Sequence, residues 1–435
     1  MGPEAHDVLD ELSSAASRCA LCGFCQAVCP TMVATGRESH GPRGRVLIAG
    51  ALARGELQSP SLDPFYTCLG CRACYYACPA GIDVWELSRD ARRLGASRGE
   101  DPLASAISSA ISGLEDPLGL GGREVSGWSE GLGIPLPEEA PGSPLLITGH
   151  MYQLMSYVVG LSGIRKSLGD GPIRAFARAA AVAPRLLSLS RMFSDRRAAV
   201  AYDGYLRNIA SLLRAAGVEF SYDPHEPYPG TLLYELGHDE EFSRYARSFT
   251  DYLRRSGASR VITVDPHTYD LLSEVYPRYV EGFDREFEVL HYSELLGGLR
   301  LNYLGMTVAY HEPCHLVVRD EGDQLTSVGD LLGRSAKVVY SPRSGRRNFC
   351  CGGPVELLRG DVAAEVSTRR FRELKGLGAD LVVTACPICH ANLNKDGSVV
   401  DASEVLAAAA GLRPLGRGED VSRQVRVGEG LQHRR

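Results

Sequence analysis

Two hydrophobic periodicities divide this chain. From residue 196 onward, short β-branched runs alternate with longer stretches in which apolar residues return every three or four positions. The runs are Ala199–Tyr202 (AVAY), Val218–Phe220 (VEF) and Val261–Val264 (VITV), then Thr307–Tyr310 (TVAY), Lys337–Tyr340 (KVVY) and Leu381–Thr384 (LVVT). Amphipathic segments such as Phe242–Arg255 and Val362–Lys375 lie between them. This alternation predicts α/β units around small, largely parallel sheets. Residues 1–100 lack it; short helical patterns such as Arg45–Leu57 dominate there, and an all-α domain is expected. Residues 101–195 are rich in Gly, Pro, Ser and Ala, with turn signals at Asp116-Pro117 and Gly121-Gly122, and read as a linker and a helical segment. Within them Pro141–Ile164 carries no Asp, Glu, Lys or Arg, but Gly149, His150, Gln153 and Ser156 interrupt it. Its apolar residues Met151, Leu154, Met155 and Val158 follow helical spacing, so a buried or partner-facing helix is expected rather than a membrane span. Residues 413–435 hold six Arg and no apolar period, and read as a flexible basic tail.

The later part of the chain repeats itself. VITVDPHTYDLL (261–272) matches VVTACPICHANL (382–393), VLHYSELL (289–296) matches VVDASEVL (399–406), and VAYDGYL (200–206) resembles VAYHEPCHL (308–316). Three matched blocks in one order predict an internal duplication, with a first repeat over 196–305 and a second over 306–412. In α/β units ligands gather beyond the carboxyl ends of strands, where Cys314, Cys386 and Cys389 follow the runs TVAY and LVVT.

Composition narrows the chemistry. With 435 residues, 44% hydrophobic, 23% charged and a net charge of −6, this is ordinary globular sequence without a nucleic-acid-coating surface. The acidic start MGPEAHDVLDEL has no apolar core before a small-residue cleavage site, so a cytoplasmic location is expected. Thirteen cysteines crowd into 19–29, 68–78, 314, 350–351 and 386–389, and none falls between 79 and 313. A disulfide scaffold would be small and stapled throughout, so these thiols read as metal ligands in a reducing compartment.

The run Cys19-x2-Cys22-x2-Cys25-x3-Cys29-Pro30 recurs as Cys68-x2-Cys71-x2-Cys74-x3-Cys78-Pro79. Three thiolates from one tight turn suit three irons of a 4Fe–4S cube, and in two-cluster ferredoxins the fourth Cys of each run serves the other cluster. One cluster is therefore expected on Cys19, Cys22, Cys25 and Cys78, the other on Cys68, Cys71, Cys74 and Cys29. A pair of zinc sites is the competing reading, but zinc ribbons space two CxxC pairs apart rather than repeating this run. The prolines fix the backbone after the last thiolate and are expected to stop each segment from continuing as a helix. The domain resembles the helical ferredoxin domains of heterodisulfide reductase and of succinate dehydrogenase iron–sulfur subunits.

Five further thiols, Cys314, Cys350, Cys351, Cys386 and Cys389, exceed what one tetrahedral ion uses. Gly352 and Gly353 leave room for close backbone approach. HEPCH (311–315), FCCGG (349–353) and TACPICHANL (384–393) resemble the cysteine-rich CCG domain of heterodisulfide reductase and its relatives. Order and length are similar to the D-type subunit, and to the iron–sulfur subunits of glycolate, lactate and glycerol-3-phosphate dehydrogenases. The resemblance implies a multidomain fold, an all-α helical ferredoxin domain followed by a duplicated α/β CCG domain. It also implies one further iron–sulfur cluster on the five cysteines, which would be the catalytic site in members that cleave disulfides. The first repeat is degenerate, with Asp265 and Thr268 in place of Cys386 and Cys389, Tyr228-Pro229-Gly230 in place of Cys350-Cys351-Gly352, and the upstream cysteine position near Tyr205.

His311, His315 and His390 flank the ligand cysteines, and His311 and His315 are candidate proton donors, with hydrogen bonding to the site as the plainer role. His267 reads as a surface or packing residue. No flavin or nicotinamide motif is evident; GLGG at 119–122 follows no strand. The expected function is an iron–sulfur oxidoreductase subunit that moves electrons through two cubes to or from the CCG site. Its partner would be a flavin dehydrogenase or a quinone-linked membrane subunit, with peripheral membrane association through that partner. The alternatives are a disulfide or heterodisulfide reductase acting at the single CCG cluster and, remotely, a zinc-stabilised scaffold.

Overall fold

The computed structural model describes residues 3–57, 61–169, 171–183, 186, 189, 192–317 and 327–415. The basic tail expected over 413–435 lies outside them from residue 416 onward.

Among the described residues up to 100 every regular element is helical, as the pattern predicts. The long helices Pro3–Ser17, Pro42–Ala53 and Val84–Arg98 enclose a core of Val8, Leu12, Val46, Ala49, Phe65, Leu87 and Ala91. Arg45 is fully buried in that core and ties the two cysteine runs together. Its guanidinium donates to Pro64 O at 2.9 Å and to Thr67 Oγ1 at 2.9 Å, just before Cys68, and to Thr31 Oγ1 at 3.2 Å, just after Cys29. The helix Phe24–Val28 ends before Pro30 with Cys29 extended, as expected, and Pro30 opens a separate helix, Pro30–Thr35, because a residue at the first helical position needs no amide hydrogen.

Two four-stranded parallel sheets follow. The first contains β1 (Leu145–Ile147), β2 (Ser221–Tyr222), β3 (Arg260–Thr263) and β4 (Glu288–His291), ordered β2-β1-β3-β4. The second contains β5 (Thr307–Tyr310), β6 (Lys337–Val339), β7 (Leu381–Thr384) and β8 (Val399–Asp401), ordered β6-β5-β7-β8. Register carries the same equivalences as the matched blocks. Val261 pairs with Val289 in one sheet as Val382 pairs with Val399 in the other.

The strand pattern errs at AVAY, with consequences for the site. AVAY lies inside the helix Arg196–Ala215, where Asp195 accepts from the Ala198 amide and Tyr202, Tyr205, Leu206 and Ile209 form one buried face. A helical period in the surrounding twenty residues overrides four β-favouring ones. The counterpart of β5 is instead β1, so the segment read as a linker supplies a central strand and the first α/β unit begins before residue 196. VEF also misses its strand, ending at Phe220 immediately before β2. By register Leu145 takes the place of Ala309, and His150, not a position near Tyr205, falls where Cys314 stands.

The helix Met151–Leu168 buries Met151, Tyr152, Leu154, Met155 and Tyr157 between the two sheets' units, and Tyr152 Oη donates to Asp401 Oδ2 at 3.0 Å. Among the described residues no helix is long and apolar enough to cross a membrane. Arg92 joins the helical domain to the first unit: buried, it donates to Phe65 O at 3.0 Å, to Cys68 O at 2.7 Å and to Glu235 O at 2.6 Å.

Candidate metal centres

All thirteen cysteines are free thiols. In each N-terminal run two left-handed residues flank the second cysteine: Leu21 (φ 55°) and Gly23 (φ 82°) around Cys22, Gly70 (φ 65°) and Arg72 (φ 54°) around Cys71. Such φ values are unfavourable for side chains larger than glycine, so Leu21 and Arg72 are strained positions. The shared backbone curl is what turns three thiols of each run toward one point. Arg72 is held there by Asp83 at 3.2 Å and Glu86 at 3.0 Å.

Cys19, Cys22, Cys25 and Cys78 line one cavity with Pro79 and Ile82. Burial pushes the Cys25 thiol up to about 11, and the neighbouring Cys78 and Cys19 add to the rise. Burial likewise pushes Cys74 well up, with Cys29, Cys71 and Cys68 as its charged neighbours. Isolated buried thiols would resist ionisation, whereas four converging on a cation are a ligand set. Cys22 is exposed, and beside it Leu21 and Phe24 are 49% and 65% exposed; Cys29 and Cys68 are buried.

The other five thiols are all buried beyond the carboxyl ends of β5 and β7. They form a chain of sulfur contacts, Cys314 to Cys350, Cys350 to Cys351, Cys351 to Cys389 and Cys389 to Cys386. Hydrogen bonds from Cys350 and Cys389 hold Cys351 well below the usual thiol range. At Cys386 burial is outweighed by hydrogen bonds from Cys389 and His267, and its value falls too. The amides of Gly352 and Gly353 point at Cys350 Sγ (3.5 Å) and Cys351 Sγ (3.4 Å). Glycine is needed at both. A Cβ on Gly352, whose φ is +90°, would lie 2.8 Å from Ala363 O, and one on Gly353 would lie 2.2 Å from Ile388 Cγ2.

The histidines separate by partner. Arg370, with no exposed surface, donates from Nε to His311 Nδ1 at 3.2 Å. This places the His311 proton on Nε2, which finds no hydrogen-bond partner among the described residues; a ring nitrogen lies within 4.8 Å of the Cys351 and Cys389 sulfurs, and burial lowers the basicity of the ring. His390 faces away: its Nδ1 meets Tyr202 Oη at 3.0 Å and its Nε2 meets Tyr205 Oη at 3.2 Å. His315 Nδ1 meets Asp270 Oδ2 at 3.0 Å. His267 is neither a surface residue nor mere packing. It is 4% exposed, hydrogen-bonds Cys386, meets Glu235 Oε1 through Nδ1 at 3.2 Å, and its ring lies 4.0 Å from that of His315. Glu235, His267, Asp270 and Arg370 were therefore missed from sequence. Only His267 carried a signal, since it follows the strand that aligns with the one before Cys386.

The first unit has no thiol at the matching place. Gly230 has φ +91° where Gly352 has +90°, so Tyr228-Pro229 stand where Cys350-Cys351 do. His150 Nδ1 pairs with Asp116 Oδ2 at 2.7 Å and its Nε2 with Glu226 O at 3.0 Å. Asp265 Oδ1 accepts from the amides of His267 and Thr268 at 2.9 and 3.0 Å, capping the helix Pro266–Asp270. Cys386 occupies the same cap position before Pro387–Leu393 without capping it.

Comparison with known proteins agrees with this donor chemistry. Residues 15–82 match the family described as 4Fe-4S dicluster domain, and residues 308–394 match the cysteine-rich domain family CCG. These matches set aside the zinc reading of the N-terminal runs; that domain holds two 4Fe–4S clusters, and the cysteine-rich domain suggests a further iron–sulfur cluster. Similar proteins include a probable membrane-anchored ferredoxin of Chromohalobacter salexigens, 26% identical over 90% of this chain and 59% of that protein. An EtfAB:quinone oxidoreductase of Syntrophomonas wolfei is 24% identical over 79% of this chain and 46% of its own length. The chain thus spans about half the length of these two relatives. The D-type subunit of the dihydromethanophenazine:CoB--CoM heterodisulfide reductase of Methanosarcina barkeri is 23% identical over 91% of this chain and 94% of its own length. This chain is an iron–sulfur protein that joins a 4Fe-4S dicluster domain to a cysteine-rich CCG domain and resembles the D-type subunit of heterodisulfide reductase along most of its length.

Proposed function

We propose that this chain is the electron-transferring subunit of a redox complex, connecting a partner protein at the helical domain with the five-thiol site. One observation carries the reading. Leu69 of the second cysteine run packs in the same buried cluster as Cys314, Cys350 and Cys351, and the partly buried Cys71 packs against it, while Cys22 of the first run is exposed between Leu21 and Phe24. The thiol sets therefore form a series from surface to interior. Clusters bound there supply one-electron transfer. In this reading Cys19, Cys22, Cys25 and Cys78 hold the outer cube, Cys68, Cys71, Cys74 and Cys29 the inner one, and Cys314, Cys350, Cys351, Cys386 and Cys389 the CCG cluster. Held by Arg370 and Asp270, His311 and His315 then position the walls of the site rather than delivering protons. The shared strand order and register support reading the two α/β units as a duplication whose first copy lost its ligands.

The partner is a flavin-bearing dehydrogenase or a quinone-linked membrane subunit, and membrane association would be peripheral, through that partner. The test is rapid-freeze EPR of anaerobically purified protein mixed with a protein-sized reductant. Cys25→Ser should leave the CCG signal intact at equilibrium but slow its appearance at least tenfold. An unchanged rate would mean that electrons reach the interior by another route. Steady turnover of a disulfide by the isolated chain would instead favour a reductase acting at the CCG cluster.

A further inference from the structure

The contact between the two α/β units holds a second set of ligand-type side chains that contains no sulfur. Glu235, from the helix Thr231–Leu236, and His267, from Pro266–Asp270, belong to the first unit; His315, from Cys314–Val317, belongs to the second. They are 8%, 4% and 9% exposed, and one ligand atom from each falls within 4.8 Å of the other two. Glu235 Oε1 and His267 Nδ1 are 3.2 Å apart, close to the roughly 3.3 Å that separates two ligands bonded at about 2.0 Å around a tetrahedral ion.

We propose that Glu235, His267 and His315 form a mononuclear site for a divalent transition-metal ion of the zinc or ferrous type. Two imidazoles and a carboxylate are a donor set suited to either ion, and three protein ligands leave a position for water. Metal-binding histidines usually have their second nitrogen fixed by a hydrogen bond, and both of these do: His315 Nδ1 by Asp270 Oδ2 at 3.0 Å, His267 by Cys386. Arg92 donates to the main-chain oxygen of Glu235, fixing the helix that presents the carboxylate. Glu235 and His267 also line a small cavity whose other walls include Met151, Leu154, Met155 and Ile388. The remaining position thus opens onto an apolar space fit for water or another small neutral oxygen ligand. No cysteine is a ligand in this assignment, which stands independently of the electron-transfer reading.

The experiment adds excess Zn2+ to the anaerobic holoprotein, desalts it, and records metal content with zinc K-edge absorption. Zinc displaces ferrous iron from such a donor set, so prior occupancy by iron does not mask the site. One zinc per chain is expected. Its first shell should be nitrogen and oxygen at about 2.0–2.1 Å, with imidazole scattering and no sulfur at about 2.3 Å. Glu235→Gln and His315→Gln should each weaken retention at least tenfold while the EPR signals of the two cubes persist, which confirms folding. Overturning results are a wild-type protein that keeps no zinc, zinc bound by sulfur with matching loss of iron, or variants that hold zinc as well as the parent.

Discussion

The two α/β units share strand order, register and a left-handed glycine at the same turn, yet only the second presents thiols. The difference shows what the pocket beyond the strand ends demands. In the second unit Cys314, Cys350, Cys351, Cys386 and Cys389 place five buried sulfurs beyond the strand ends, in a domain that suggests an iron–sulfur cluster. In the first, the same positions are filled from within. His150 pairs with Asp116, Tyr228 packs 6.1 Å from the His150 ring, and Asp265 turns back to cap its own helix. Buried polar groups need partners, and for His150 and Asp265 Oδ1 the first unit and its flanking segment supply them. Glu235 and His267 of the first unit nevertheless reach His315 of its neighbour.

That comparison can be broken most sharply at the cap positions. Cys386→Ser should remove the CCG signal and lower iron from about twelve to about eight per chain, with both cubes intact. Asp265→Ala, at the matching position, should leave iron unchanged and cost about 1 kcal/mol through loss of a helix cap, read by thermal unfolding. Loss of cube signals in Cys386→Ser would mean that the ligand sets are divided differently. The glycine pair should show a smaller contrast. Gly352→Ala combines strained φ with a collision against the main-chain Ala363 O, so a destabilisation of about 3 kcal/mol with loss of CCG iron is expected. At Gly230 a Cβ lies 3.1 Å from the Tyr245 ring edge, and Gly230→Ala should cost about 1–2 kcal/mol and no iron.

The smallest effect concerns pH. Burial raises the Glu226 carboxyl to about 7 in the folded first unit, against 4.5 ordinarily, so the folded state holds its proton more tightly than the unfolded chain. The stability it contributes is complete below pH 4.5 and is lost as pH rises toward 7, a decline of order 1–3 kcal/mol. His150, also raised although burial alone would lower it, changes stability in the same direction above 6.5, through its hydrogen bond to Asp116. Glu226→Gln should flatten the melting temperature between pH 5 and 7; an unchanged slope would assign the dependence elsewhere.

Much of the site was legible because a cluster-binding run is local. Cys19 to Cys29 and Cys68 to Cys78 carry their turn geometry within eleven residues each, and the β-branched runs around 261 and 382 announced matching strands. What failed was the assignment of β1. Leu145–Ile147 is a three-residue strand in a Pro- and Gly-rich setting, whereas AVAY at 199–202 has better local strand propensity and sits in a helix. Burial on the helix face containing Tyr202 and Tyr205 decided that competition, because packing outweighs a preference worth tenths of a kcal/mol per residue.

The sequence by itself thus determined the metal chemistry of this protein: which thiols are present, how they group, and that the first α/β unit has none. Only the tertiary structure decided which elements share a site. It placed Cys71 against the CCG pocket, turned His390 toward two tyrosines, and brought Glu235 and His267 from the cysteine-free unit to Cys386 and His315. The physical reason is range. Ligand spacing is fixed by a few backbone torsions, but a contact between two separately folded units depends on how their faces pack, and no local pattern encodes that.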